Sequence, residues 1–444
     1  MWLVFLLLIS VGFIIVTTSK LKWHPFLSLL AAAFGFGCLS GTMSPDEVVK
    51  SINAGFGNTV GYIGIVILAG SVIGKFLEKT GGAYTLAKGT LKVVGEKNVP
   101  LALSIIGYII SIPVFCDSGF IILTPLARAL TRQVKISFAI GAIALSLGLI
   151  VTHSIIPPTP GPVGAAGILN ADLGRVIGMG IPVSITALFA GWLFSIKAGS
   201  KIHVDPGPEQ TFENETQSHP SLPKAVMPIF VPILLIVCRS VSTLPSAPFG
   251  TGHFYFIIGF AGQPVVALMT GILLSLLLPK KLTRQMLSPA GWFGEALAGA
   301  GIIIIITGCG GAFGQVLQNS GIGDVIKSNL SDVKSLSIIL PLLIAASLKT
   351  AQGSGTVAII TGASLMAPLM AALGLDTSAG RALVVVALGA GGMIASHAND
   401  SYFWVVTQMS GLTVNQGYKL QTLGTLTVGV TASVMVILLS LFVL

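Results

Sequence analysis

Residues 113–119 read Pro113-Val114-Phe115-Cys116-Asp117-Ser118-Gly119, and 236 positions later residues 349–355 read Lys349-Thr350-Ala351-Gln352-Gly353-Ser354-Gly355. Each stretch sets an ionisable side chain and a small-residue turn in the middle of an apolar run, Leu101–Leu130 and Leu336–Leu373. Pro113 and Asp117-Ser118-Gly119 divide the first run into halves of about 14 residues, whereas an untilted span needs about 20. Its flanks are both basic, Lys97 before it and Arg128, Arg132 and Lys135 after it. A broken segment that leaves on the side it entered predicts a re-entrant hairpin with its tip at Asp117. The second run predicts another, with Gln352-Gly353-Ser354-Gly355 at its tip.

Outward from these stretches the same offset keeps recurring. His24-Pro25 is matched by Gln263-Pro264, and Gly70-x-x-x-Gly74 by Gly310-x-x-x-Gly314. Leu77 and Gly81 return as Leu317 and Gly321, and His153 returns as His397. Gly167-Ile168-Leu169 aligns with Gly411-Leu412-Thr413. A near-constant offset along the whole chain predicts a duplicated transporter whose site lies where the halves meet. The composition agrees: 53% of residues are hydrophobic, only 9% are charged, and mean hydropathy is +0.92. A soluble chain of this length needs more charge to cover its surface. The net charge of +9 is no nucleic-acid footprint, because Lys and Arg sit in short loops between apolar runs. Cys38, Cys116, Cys238 and Cys309 form no C-x-x-C pair, which argues against a disulfide or zinc framework. The run Trp2–Thr17 lacks a basic start and a cleavage site, and is expected to be a first transmembrane helix.

The positive-inside tendency orients the trace. Lys20 and Lys22 place the end of Trp2–Thr18 in the cytoplasm, so the N-terminus is expected outside. Pro25–Gly41 returns to the acidic turn Asp46-Glu47, Tyr62–Leu77 re-enters, and Ala83–Val94 reads as an interfacial helix. A broken helix at 136–170 and the span Val176–Ile196 complete the first half. Residues 201–224 read as a cytoplasmic linker. Ala225–Val237, Pro264–Leu278, Ala296–Leu317, a broken helix at 382–409 and Thr422–Leu444 replay the pattern. Each half then has about five crossings and one hairpin, 101–130 or 336–373. Five is odd, so the halves 1–200 and 225–444 must be inverted and the C-terminus also lies outside. The expected fold is an all-α polytopic membrane protein of two inverted-topology repeats with broken helices at the site.

Ionisable groups at membrane depth cost several kcal/mol unless paired or hydrated. Asp117, His153, Lys349, His397 and Asp400 all fall at the hairpins or the interruptions, where broken helices must line a cavity. Half-helix N-termini there suit a carboxylate. Plainer readings stand beside this one. His153 and His397 can be packing residues, Lys349 can snorkel or pair with an acid, and the Gly-x-x-x-Gly pairs suit helix packing. No phosphate-binding loop is present. A nucleophilic Ser354 with His397 has no counterpart at Ser118, so an enzyme is not expected. Asp117, His153, His397 and Asp400 lack metal-ligand spacing, so neither metal nor cofactor is expected.

Three motifs resemble the gluconate permease family, the gluconate:proton symporters of the ion-transporter superfamily. They are Pro157-Pro158-Thr159-Pro160-Gly161-Pro162, Ala351-Gln352-Gly353-Ser354-Gly355-Thr356-Val357-Ala358, and Ser396-His397-Ala398-Asn399-Asp400-Ser401-Tyr402-Phe403-Trp404. The resemblance covers essentially all of the chain. It implies proton-coupled uptake of gluconate, another small anionic sugar acid or hydroxy acid, or, in one branch, D-serine. It also implies the bacterial inner membrane and a homodimer as a common state. Thr159 stands where many members have His, and Lys349 where they have Arg, which binds carboxylates bidentately as Lys does not. Substrate contacts are then expected from Asp117, Ser118, Gly119, Thr159, Gly161, Gln352, Gly353, Ser354, Gly355, Thr356, Asn399 and Ser401, with positive charge from Lys349. The proton carrier is expected to be Asp117 or Asp400, with His153 and His397 as further candidates; the proton gradient is the energy source. A channel and a non-coupled uniporter are the alternatives.

Overall fold

The computed structural model describes the chain apart from residues 1, 96–97, 207–218, 243–251, 323–324, 326–336 and 398–399, with main chain alone at 19, 63 and 352. The described residues are helical throughout, with no strand. The first half runs α1 (Trp2–Ser19), α2 (Pro25–Leu39), α3 (Pro45–Lys79), α4 (Gly82–Val94), α5 (Val99–Ile110), α6 (Cys116–Gln133), α7 (Phe138–Ile155), α8 (Pro160–Leu169) and α9 (Leu173–Gly199). After it come α10 (Leu222–Ser242), α11 (His253–Ala261), α12 (Pro264–Ser275), α13 (Trp292–Asn319), α14 (Ile339–Gln352), α15 (Gly355–Met366), α16 (Ser378–Gly392) and α17 (Ser401–Ser410). A short α18 (Val414–Gly417) leads through the π-helical turn Tyr418–Thr422 into α19 (Leu423–Val443).

Among the described residues five helical stretches are long and apolar enough to cross a membrane: Phe138–Leu169 through its break, Leu173–Gly199, Leu222–Ser242, Trp292–Asn319 and Val414–Val443. Two bent pairs, within α3 and across α11 and α12, pass the same test as single spans. This is a multi-pass membrane protein. On α19, Leu423, Leu426, Val430, Val434, Leu438 and Leu441 are exposed at helical spacing, while Gly424, Thr425, Val428, Gly429, Ala432 and Val436 are buried. That division is a lipid-facing stripe on a packed helix.

Two elements differ from the sequence reading. The span expected at Tyr62–Leu77 is the second half of a 35-residue helix that begins at Pro45. Asp46-Glu47 is its first turn: Ser44 N–H donates to Glu47 at 2.7 Å and Glu47 N–H to Ser44 Oγ at 3.4 Å. Ser44-Pro45-Asp46-Glu47 is thus a capping box with proline at the first helical position, a helix start rather than a turn. The helix α11 was not anticipated; it exposes Phe254, Tyr255, Phe256, Ile257 and Phe260 and meets α12 at 68°.

Small residues set the helix crossings. A Cβ at Gly55 would stand 2.4 Å from the Gly311 carbonyl, so α3 and α13 touch main chain to main chain. A Cβ at Gly107 would meet the Leu145 carbonyl at 2.5 Å, and one at Gly148 the Ser104 carbonyl at 2.1 Å, which brings α5 onto α7 in the same way. Apart from His153, every residue of α7 is buried. Gly74 seats Pro113, whose carbonyl lies 2.1 Å from where a Cβ would be, and Gly70 seats Pro158. Gly310 and Gly314 pack on Ser364 of α15. The glycine pairs are packing faces, and the first holds the two breaks of its own half in place.

Candidate functional site

Among the described residues four interruptions of helical structure carry the site: residues 111–115 between α5 and α6, 156–159 between α7 and α8, 353–354 between α14 and α15, and 393–397 with 400 between α16 and α17. Their local causes differ. Pro113 lies in the first, and Pro157 and Pro158 lie in the second, where proline supplies no N–H and disfavours helix before it. Gly353 ends α14 at φ +89°, a left-handed position that glycine fills without strain, and its N–H donates to the Lys349 carbonyl at 2.9 Å. The segment 101–130, expected to be a hairpin, falls on α5 and α6, and 336–373 falls on α14 and α15 within the described residues.

Each interruption begins a new helix, and the four N-termini fall into two kinds. Ser354 Oγ accepts the Val357 N–H at 3.3 Å, and Asp400 accepts the Tyr402 N–H at 3.1 Å, so α15 and α17 are capped by their own side chains. No side chain caps α6 or α8. Thr159, the N-cap of α8, turns its hydroxyl back to the Ile156 carbonyl at 2.6 Å. Uncapped first-turn N–H groups need other partners.

At the centre, Lys349 pairs with Asp400. Lys349 is 2% exposed and Asp400 5% exposed. The ammonium Nζ donates to Asp400 Oδ2 and to the Gly353 carbonyl at the end of α14. Ser396 Oγ also donates to Asp400 Oδ2. Ser396 is held in turn by the last helix: its N–H donates to Thr425 Oγ1 at 2.9 Å, and Thr422 Oγ1 donates to its carbonyl at 2.6 Å. His397 Nε2 lies 3.0 Å from the Thr350 carbonyl and ties the same loop to α14. A charge removed from water is tolerated when it is paired and hydrogen-bonded, and both conditions hold for this pair.

Asp117 and His153 complete the cluster from the first half. Both lie within electrostatic reach of Lys349 and Asp400. Asp117 Oδ1 and His153 Nδ1 are buried without a hydrogen-bond partner. Buried polar atoms are nearly always satisfied, so two such exceptions around one ion pair mark a place for a ligand or water. The Phe115 ring stands 5.9 Å from the His153 ring, and these residues with Pro113, Pro158 and Thr159 line one narrow cleft against Gly70 and Ser71.

The other expected residues divide. Gly161 faces Thr356, whose Cα lies 3.6 Å from the position of a Gly161 Cβ, and a Cβ at Gly355 would come within 2.8 Å of the Gly392 carbonyl. The start of α15 is therefore wedged between α8 and the end of α16. Gly119 is buried against Leu149 and serves packing, not an open surface. Ser354 and Ser401 are exposed, and Ser118 is half-buried. Asn399 lies outside the described residues, as does the side chain of Gln352. Ser354 caps a helix while His397 meets the Thr350 carbonyl, an arrangement with no nucleophile–base pair.

Sequence reading missed the residues that support the pair. Ser396 and Tyr402 lie inside the third motif, flanking Asp400, yet only the fold shows what they hold. Tyr402 is buried, donates to the Ser146 carbonyl at 3.0 Å and packs edge-on to Phe120. Ser146 Oγ donates to Gln421 at 2.8 Å, and Gln421 is fully buried on the π-helical turn. Such turns occur often at functional sites. Gln421, Thr422 and Thr425 carried one signal, hydroxyl and amide groups at the head of a very apolar span.

A model of the family described as GntP family permease matches residues 2–442. The chain is 33% identical to a gluconate permease of Pseudomonas aeruginosa over 448 residues, which covers 98% of this chain and 96% of that one. It is 31% identical to the D-serine transporter DsdX of Escherichia coli K12, covering 100% of this chain and 99% of the relative. Among solved structures it resembles the YdaH transporter of Alcanivorax borkumensis, with TM-score 0.68 and 14% identity, over 95% of this chain and 99% of that one. This last likeness concerns the fold alone.

Proposed function

The chain belongs to the GntP family of permeases, transporters and not enzymes, and from that premise we propose that it is a proton-coupled symporter of a small hydroxy-carboxylate, such as gluconate or a related sugar acid. The observation that carries this reading is the buried Lys349–Asp400 pair beside the unpartnered Asp117 Oδ1 and His153 Nδ1. It offers one cation for a carboxylate, titratable groups for a proton, and a cleft between helix breaks. The uncapped N-terminus of α6, and in α8 the Gly161 N–H between Pro160 and Pro162, which have none, add main-chain donors for an anion or for hydroxyls. The gluconate permeases among the relatives favour a sugar acid, and the D-serine transporter makes a small hydroxy-amino acid the second reading.

The same proposal includes an inverted duplication. Each half carries, in order, a long helix, a helix pair interrupted near its middle, a second interrupted helix and an unbroken one. The pairs α5/α6 and α14/α15 are then re-entrant hairpins entering from opposite sides of the bacterial inner membrane, with both termini in the periplasm. Alternating access comes from the hairpins and broken helices moving against α3 and α13.

Uptake of labelled gluconate and of labelled D-serine by proteoliposomes, with and without an imposed proton gradient, tests this. Gradient-driven accumulation of gluconate is the expected result. Uptake that only equilibrates makes the chain a uniporter, preference for D-serine selects the second reading, and a sodium requirement removes the proton.

A further inference from the structure

Among the described residues Lys349 is the only buried lysine or arginine, and its charge is already in use. Of its three N–H donors, one meets Asp400 and another the Gly353 carbonyl. A substrate carboxylate that needs a buried cation here must take the one Asp400 holds. We propose that the Asp400 carboxylate is a built-in stand-in for the substrate's carboxylate, and that a proton and the substrate together displace it from Lys349. The inference rests on the reading of the substrate as a carboxylate.

Charge balance makes the displacement obligatory in pairs. The empty ion pair holds one ammonium and one carboxylate. Substrate alone would put two carboxylates on one ammonium in a low-dielectric interior. A proton alone would leave the ammonium unpaired. Each of those states carries an uncompensated buried charge, which is costly. Proton and substrate together restore neutrality: the proton goes to an Asp400 oxygen, the Nζ–H donor passes to the substrate carboxylate, and no net charge is added. One proton per carboxylate follows, and coupling needs no distant relay.

The groups facing the pair do not substitute for Asp400. Asp117, in the first turn of α6, lies within reach of Lys349 but makes no ion pair with it, so protonating it frees no cation. His153, at the end of α7, would add a second positive charge beside Lys349. His397 is occupied with the Thr350 carbonyl on α14. Cys116 on α6 and Tyr402 on α17 are neutral neighbours. Ser396, fixed by Thr422 and Thr425, positions Asp400 for the exchange.

The test is proton counting on the purified full chain with gluconate as the probe. Titration calorimetry in two buffers of different ionisation enthalpy reads the protons taken up per gluconate bound, and infrared difference spectra read whether a protonated carboxyl forms. Wild type should take up close to one proton wherever the free ion pair is charged, lose affinity about tenfold per pH unit there, and show the protonated-carboxyl band. Asp400→Asn should take up none, lack the band and bind with a flat pH profile. One proton still taken up by Asp400→Asn, or none taken up by wild type at any pH, overturns the exchange. Should Asp400→Asn not fold, Asp117→Asn carries the test: the band persisting supports Asp400, and its loss overturns it. If neither gluconate nor D-serine binds, the proposed substrate class fails; if gluconate binds without a proton, only the exchange fails.

Discussion

Replacing Lys349 by methionine keeps an unbranched apolar stem and removes the charge, which isolates the worth of the pair. Asp400, 5% exposed, then stays buried with Ser396 Oγ and the Tyr402 N–H as its donors among the described residues. Both donors are present in wild type, so they do not offset the loss. Breaking a buried pair from one side costs about 3–5 kcal/mol. At roughly 2 cal/mol/K of unfolding entropy per residue, the 444 residues give about 0.9 kcal/mol per degree. Lys349→Met should therefore unfold about 3–5 °C below wild type. The deficit should shrink in acid, because a neutral carboxyl needs no cation. Lys349→Met/Asp400→Leu removes both charges of the pair, and it deprives Ser396 of one acceptor and the Tyr402 N–H of its cap, at about 1 kcal/mol each, so it should melt within about 2 °C of wild type. Thermal unfolding in detergent, followed by tryptophan fluorescence, measures all three. A single variant as stable as wild type, or a double variant no better than the single, refutes the claim that the two residues form one electrostatic unit.

Gly74→Ala should destabilise by about 1–3 kcal/mol, since its Cβ would stand 2.1 Å from the Pro113 carbonyl and a main-chain atom cannot swing aside. Gly57→Ala, with nothing within 4 Å, should be neutral or stabilising by up to about 1 kcal/mol in the same melting assay. Gly353→Ala forces a Cβ into φ +89° at the end of α14, and should cost about 1–2 kcal/mol and lower gluconate uptake in proteoliposomes. Gln421→Met relieves an amide nitrogen buried without a partner but takes the acceptor from the buried Ser146 hydroxyl, and should cost about 1–2 kcal/mol. Transport lost beyond what that loss of stability accounts for would give Gln421 a functional part.

The all-helical, multi-pass character was legible because lipid imposes strong rules on sequence. Apolar runs, basic loops and breakers marked the first interrupted pair, and Pro113, Pro157 and Gly353 lie in the predicted interruptions. What escaped had a local explanation. The start of α3 lay in Ser44-Pro45-Asp46-Glu47, where acidic residues suggested a turn while the spacing of serine and glutamate specified a cap. The candidate site was legible in its ionisable residues, because Asp117, His153, Lys349 and Asp400 are costly wherever they are not needed. It was not legible in its partners. Whether Lys349 faces a ligand or an acid depends on how α14 approaches the break before α17, a contact between residues 51 apart in sequence. Gly119, expected to contact substrate, is small for another reason, the packing of α6 on Leu149.

The repeat offset sharpens what the pair means. Pro113 aligns with Lys349, Asp117 with Gly353, and Pro157 with Ser401. Where the first half has a proline carbonyl resting on Gly74, the second has an ammonium reaching the carbonyl of its own helix end. The helix starts differ in step. Both N-termini after the second-half breaks are capped by their own side chains, and one cap is Asp400 itself, while neither N-terminus after the first-half breaks has a side-chain cap. Protonating Asp400 therefore does two things in one residue: it releases Lys349 and weakens the cap on α17. Nothing comparable can happen at α8, whose Thr159 hydroxyl does not cap the helix. On the proposed exchange, ion coupling belongs to the second half, and the open donors and orphaned polar atoms of the first half are left to receive the rest of the substrate. The proposed duplication and the proposed symport then fit together, with each half given one of the two tasks.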